Sequence, residues 1–254
     1  MTPAPPPSPW VSAPVTLTAP LLWLAAGARD LRAAPLASLA YGAAFAVMGA
    51  LLLFVFRHAY AYASAVVTGF VLVGPFLATG LYDLSRRRER GEPLRLRPTL
   101  TAWRANVGGF AIFALVLTVL MLVWARASLI TFALFFASGM PTLERFVAQV
   151  LSPAHWDFVL TWCAVGLVFA TLAFALSVVS MPLMLDRGTD AVSAALASVR
   201  VLAANPAPLA LWAGLIVLLI GIGFATAMIG LVITAPWVGH ATWHAYRALL
   251  PPAE

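Results

Sequence analysis

The chain is predicted to be an all-α polytopic membrane protein. Six transmembrane helices form three helical-hairpin repeats, with interfacial helices on the cytoplasmic side. Three observations predict this. Of the 254 residues, 63% are hydrophobic and 9% charged, and the mean hydropathy is +0.96, whereas a soluble domain carries about a quarter charged residues. The charge is also segregated: Pro35–Phe56, Ala59–Tyr82, Phe158–Leu185 and Val201–Tyr246 hold no formally charged residue, and Trp103–Ala125 holds only Arg104. Finally, a pattern of amphipathic segment, span and proline-marked return recurs three times. A span needs about 20 apolar residues. Hydrocarbon offers the backbone no hydrogen bonds, so runs of this length are helices.

The elements follow in order. Residues 1–19 are proline-rich, without the charged start and apolar centre of a secretory signal, and read as a disordered tail. The membrane domain is 20–248, with spans at 36–57, 60–84, 105–126, 157–185, 207–224 and 226–246 and repeats at about 20–90, 98–187 and 189–247. Between Ala127 and Trp156 the run SLITFALFFASGM is too short to cross, and an interfacial or re-entrant excursion is expected there. Seven arginines crowd the segment from Ser85 to Asn106, which places that loop and both termini on the cytoplasmic side.

The repeats are read from matching positions. Leu21, Leu24, Ala25, Ala28 and Leu31 form an apolar stripe opposite Arg29, Asp30 and Arg32. Val192, Ala195, Leu196, Val199 and Leu202 form another opposite Ser193 and Arg200, with Thr189 placed to cap that helix. The second unit is shorter, from Thr99 through Trp103 and Arg104 to Asn106. Such helices lie in the interface, apolar face down. Arg29 precedes Pro35, and Arg200 precedes Pro206, by the same interval. Gly42 and Gly49 match Gly214 and Gly221, small residues that let helices approach. On the return helices Pro75, Pro182 and Pro236 each remove a hydrogen bond and crowd the carbonyls of Val71, Val178 and Val232, bending the helix.

The basic balance, +6 with arginine as the sole basic type apart from four histidines, does not point to nucleic acid, because the arginines cluster beside span ends. Membrane lipids and other membrane subunits are the expected partners. Cys163 stands alone in an apolar run, so no internal disulfide or thiolate cluster forms, and it is read as a small hydrophobe. His240 and His244 share a helix face and are the candidate metal or haem ligands, but Ala-Thr-Trp separates them where a metalloprotease has a glutamate, so an aromatic anchoring belt with Trp237, Trp243 and Tyr246 is the simpler role. Aligning the return prolines brings Asp83, Asp186, His240 and His244 to equivalent depths. A polar cluster at the cytoplasmic ends of the even-numbered spans follows, approached by Arg29, Arg104 and Arg200 and acting chiefly as ion pairs that staple the repeats. No phosphate loop, serine–histidine–acid set or paired intramembrane carboxylate is assembled from the sequence, and neither an enzyme nor a bound cofactor is expected.

The stretches ARDLRAAPLASLAYG, VGPFLATGLYDLSRRRERGEP, ALSVVSMPLMLDR and GHATWHAYR resemble a bacterial integral-membrane family of unknown function, domain-of-unknown-function family 2189, over residues 22–248. Some members bear the label cytochrome c oxidase subunit I-like, which implies haem and copper chemistry. Such a core needs many more intramembrane histidines than the four present here, so no catalysis or cofactor is carried over. The expected role is a non-enzymatic accessory, assembly or envelope-maintenance protein. The alternatives are a transporter or channel for a small solute, proton or lipid built on the polar cluster, and a respiratory oxidase-associated subunit using His240 and His244.

Overall fold

A computed structural model describes residues 12–58, 63–136 and 155–251. Ten α-helices occur among them: α1 (Ala19–Ala33), α2 (Pro35–His58), α3 (Ala63–Glu89), α4 (Leu96–Thr99), α5 (Val107–Phe135), α6 (Trp156–Ser177), α7 (Ser180–Arg187), α8 (Ala191–Ala204), α9 (Pro206–Ala225) and α10 (Leu231–Leu249). A 3-10 turn, Ala102–Asn106, precedes α5, and no strand occurs among the described residues. Among the described residues, four stretches are long and apolar enough to cross a membrane: Pro35–His58, Leu96–Phe135, Trp156–Arg187 and Pro206–Ala225.

Three expectations change. The third span does not stop at 126: α5 runs on to Phe135, because SLITFALF contains neither glycine nor proline to end it. The rest of the expected excursion, 137–154, lies outside the described residues. The fourth span is broken, with Val178 and Val179 leaving the helix (Val179 φ −126°, ψ −4°) just before Pro182 enters the first turn of α7. Pro75 and Pro236, by contrast, sit inside continuous helices. The last helix begins at Leu231 rather than 226, after a turn that holds Ala227 and Met228 at positive φ (51° and 71°).

The chain divides into two compact units, residues 1–114 with 175–254, and residues 115–174. In the smaller unit Phe158 is buried and lies edge-on to Phe132, Phe135 and Phe136, while the Trp162 indole donates to Ser128 Oγ at 2.6 Å. Cys163, Ile130, Leu134, Leu160 and Leu167 face outward. An outer surface this apolar needs lipid rather than water against it.

In the larger unit α10 is the central helix, packed by α1, α2, α3 and α9. That position explains its composition: protein, not lipid, surrounds it, so it can hold His240, Thr234, Trp243 and Tyr246 in its buried face. The three proline-marked returns, α3, α7 and α10, pack against one another.

The junctions α1–α2 and α8–α9 share one kind of kink. Ala34 (φ −132°, ψ 58°) and Asn205 (φ −132°, ψ 53°) end α1 and α8, each bonding back to the carbonyl four residues earlier, and proline starts the next helix. At equal offsets from the kink, the pairs Trp23 and Ala194, Ala26 and Ala197, Gly27 and Ser198, and Asp30 and Val201 are buried. Beyond it the same holds for Ala37 and Pro208, Ser38 and Leu209, and Tyr41 and Trp212. The predicted stripes mostly form the opposite, outward face: Leu21, Val192, Leu196 and Val199 are exposed and Leu24 is the buried exception. Each helix therefore has two apolar faces, one of small residues against protein and one of larger residues turned out. Asp30 belongs to the packed face, not with Arg29 and Arg32.

Two smaller corrections concern caps and tails. Asp190, not Thr189, caps α8, its carboxylate accepting from Val192 N (3.0 Å) and Ser193 N (2.9 Å). Asp190→Ala should speed amide exchange over the first turn of α8, whereas Thr189→Ala should leave it unchanged. Within the expected disordered tail, Ala13 N donates to Leu249 O (2.9 Å) and Val15 N to Asn205 Oδ1 (3.0 Å), so residues 12–19 are anchored to the helices. Residues 1–11 lie outside the described residues.

Candidate functional site

The polar end of the larger unit is organised by a hub that sequence reasoning did not assemble. Small neighbours on α1 create the room: Gly27 crosses α10 so closely that a Cβ there would sit 2.6 Å from Ala241 N. Three residues further on, this same face delivers Asp30 among Ser85 of α3 and His240 and His244 of α10. Asp30 Oδ2 accepts from Ser85 Oγ at 2.5 Å and from His244 Nε2 at 2.8 Å, and Arg88 binds Oδ1. His240 lies between two hydroxyls, with Nδ1 2.8 Å from Ser85 Oγ and Nε2 2.8 Å from Ser38 Oγ. Ser38, Ser85, Asp30 and His240 are all buried.

Proton counting assigns the directions. Ser85 has one hydroxyl proton and gives it to an acceptor-only carboxylate, so it must accept from His240 Nδ1–H. The neutral ring then has a bare Nε2, which accepts from Ser38. The result is a one-way chain, Ser38 to His240 to Ser85 to Asp30, with every donor pointing at the carboxylate. Burial alone would raise the Asp30 carboxyl. The hydrogen bonds from His244 and Ser85, the electrostatic pull of His244 and the Arg88 guanidinium outweigh that and hold it below its ordinary 3.8.

Around the hub, the end of α3 reaches a different neighbour with almost every residue. Asp83 is buried and takes Arg86 Nη2 (2.5 Å) and Arg87 Nε (2.8 Å). Arg86 also donates to Leu185 O of α7 (3.0 Å), and Arg87 to Glu92 (3.0 Å). Arg88 goes to Asp30 of α1, and Glu89 meets Arg247 of α10 (3.2 Å). Asp186 accepts from Tyr246 OH (2.8 Å) and faces Arg90 (3.5 Å) and Arg247 (3.6 Å). The Arg90 pair is solvated and contributes little; the Asp83 and Asp30 sets are desolvated, and their loss is costly.

The acidic and histidine members of the predicted cluster fall into three sets at one end of the larger unit. His240 and His244 share a face as expected and meet at Asp30. Asp83 and Asp186 each have their own cations. Those cations are Arg86 and Arg87 for Asp83 and Arg90 and Arg247 for Asp186, while Arg88 serves Asp30; Arg29, Arg104 and Arg200 are exposed. Arg104 lies over the Trp103 ring, 5.5 Å from its centroid. The residues missed were Asp30, Ser38, Ser85 and Arg88. The available signal was spacing: Asp30 follows Gly27 by three and Trp23 by seven, on the small-residue face.

Haem or metal ligation does not fit the histidine pair. Both ring nitrogens of His240 are already hydrogen-bonded, and His244 Nε2 is held by Asp30, so ligation would strip partners from buried groups. His58, the other histidine with a described side-chain bond, turns Nδ1 to Phe54 O (2.9 Å) at the far end of α2.

The fold and this polar end define an α-helical integral membrane protein whose helices are clasped at one end by buried ion pairs. Comparison with known families agrees: residues 62–186 match the family described as "Predicted integral membrane protein (DUF2189)", the family that the sequence motifs resemble. The match spans α3 to α7. The flanking helices α1, α2 and α8 to α10 lie outside it. No curated protein and no solved structure matches the chain.

Proposed function

We propose that this is a six-span protein of a bacterial cytoplasmic membrane, with both termini and the arginine-rich end in the cytoplasm. It acts there as a non-enzymatic accessory, assembly or envelope-maintenance factor, binding other membrane subunits through its helices. In this reading α3 and α10 supply the fifth and sixth spans, too polar to stand alone in lipid because other helices cover them. One observation carries the proposal: the carboxylates and histidines of the polar end are consumed by internal partners that tie α1, α3, α7 and α10 together. Such groups build a rigid frame that offers its outward apolar faces to neighbours. Crosslinking in native membranes followed by purification in mild detergent should recover a reproducible membrane-protein partner. A solitary monomer in every preparation contradicts the proposal.

A proton-coupled transporter is the second reading, favoured by the one-way chain from Ser38 to Asp30. The first repeat carries Asp30 and Ser38 where the third carries Val201 and Leu209, so these polar groups are a departure from the shared packing. Proton flux by the wild type in liposomes supports this reading, and no flux removes it.

A further inference from the structure

The chain holds 15 arginines against nine carboxylates. At the polar end the carboxylates are already engaged: Asp30 by Arg88, Asp83 by Arg86 and Arg87, Glu92 by Arg87, Glu89 by Arg247, and Asp186 by Arg90 and Arg247. Some arginines at this end have no carboxylate partner among the described residues and meet their counter-ions outside the protein. The strap joining α3 to α5, residues 93–106, holds three of them in a fixed arrangement.

Its inward residues pin it. Leu94 and Leu96 pack on Ala34, Ala37, Tyr41, Leu81 and Leu84, and the buried Thr99 hydroxyl lies 3.0 Å from Tyr41 OH. Thr99 gives its own proton to Leu96 O (2.7 Å), so Tyr41 is the donor. The chain is extended at Arg95 (φ −114°, ψ 139°), and with Leu94 and Leu96 inward, Arg95 and Arg97 are thrown out and exposed. Further along, the Trp103 indole donates to Leu100 O (3.0 Å), which fixes the ring beside the exposed Arg104. Leu100 itself is half exposed. Three guanidiniums, an aromatic ring and an exposed leucine on one pinned strap match the chemistry of a lipid headgroup layer. The guanidinium fork takes phosphate oxygens in pairs, and tryptophan and leucine sit at the acyl boundary.

We propose that the strap is a binding site for the phosphate of anionic phospholipids, held by Arg95, Arg97 and Arg104, with Leu100 and Trp103 seated beneath the headgroup. This rests on the reading that the arginine-rich end lies at a membrane surface. The test is native mass spectrometry of the full-length protein in detergent, titrated with phosphatidylglycerol or with phosphatidylcholine of the same acyl chains. The wild type should prefer phosphatidylglycerol by about tenfold, and the combined Arg95→Gln, Arg97→Gln and Arg104→Gln variant should bind the two nearly equally. If that variant does not fold, Arg97→Gln alone should lower the preference about threefold. Equal binding of both lipids by the wild type overturns the site, as does an unchanged preference in the variants. Displacement of the lipid by inorganic phosphate at equal concentration overturns the lipid as occupant. Failure to find a protein partner leaves these outcomes untouched, so the two proposals fail separately.

Discussion

Gly42→Ala should be among the most damaging single-methyl changes in this protein. A Cβ at Gly42 would lie 2.0 Å from Val232 O, 2.6 Å from its carbonyl carbon and 2.8 Å from its Cα. These are backbone atoms of the central helix, so no side-chain rotation relieves the clash, and α2 and α10 must separate. The reason for the close approach is four residues away. Pro236 has no N–H to offer Val232 O, and its ring crowds that carbonyl, so α2 brings a residue without a side chain against the exposed oxygen. Overpacking of well-packed contacts costs about 1–3 kcal/mol, occasionally more, and a backbone clash belongs at the top of that range. A thermal melt in detergent should show a fall in Tm of many degrees or a loss of folded protein. Gly214→Ala and Gly221→Ala, on α9, meet nothing within 4 Å and should melt like the wild type.

Asp30→Asn should be comparably severe, for an electrostatic reason. The substitution keeps the shape but removes the charge to which Arg88, His244 and Ser85 are directed, all around a residue that is 3% exposed. Breaking a buried ion pair by neutralising one partner costs about 3–5 kcal/mol. The effect should also depend on pH in a defined sense. The folded-state carboxyl titrates below its ordinary 3.8, so the folded protein binds fewer protons than the unfolded chain between those two values. Its stabilising contribution is complete above the unfolded value and is lost as pH falls through the folded one. Melting curves at neutral pH should therefore separate wild type from Asp30→Asn widely, and the gap should close on acidification below about pH 4. A gap that stays constant to pH 2 would show that Asp30 acts by packing alone.

Much of the architecture was legible because lipid imposes strict rules on local sequence. Uncharged runs marked the helices, and the two X-Pro steps after Ala34 and Asn205 marked kinks of nearly identical geometry. The boundaries were less legible. Thr189 and Asp190 are both good capping types, and Asp190 takes the extended N-cap position from which its carboxylate reaches the amides of Val192 and Ser193. The helix after Arg126 ran on because nothing in its sequence stops it. The hub was hidden for a different reason. Asp30 stands between Arg29 and Arg32 in sequence and looked solvated with them, yet its partners lie on α3 and α10, more than 50 positions away. Spacing placed His240 and His244 on one face, but only the crossing of α1 at Gly27 shows what that face meets. Similarly, the proline alignment placed Asp83 and Asp186 at one end without revealing that the Arg86–Arg90 run would divide them into separate pairs.

The claim on which this account most depends is that the protein crosses a bilayer with its clasped, arginine-rich end on the cytoplasmic side. Single cysteines introduced as Arg95→Cys and Arg57→Cys, each with Cys163→Ala, test it in sealed membrane vesicles of known orientation. A membrane-impermeant maleimide should label position 95 only from the cytoplasmic face and position 57, at the other end of α2, only from the opposite face. Labelling of position 95 from the outer face, or of both positions from one face, would contradict the account.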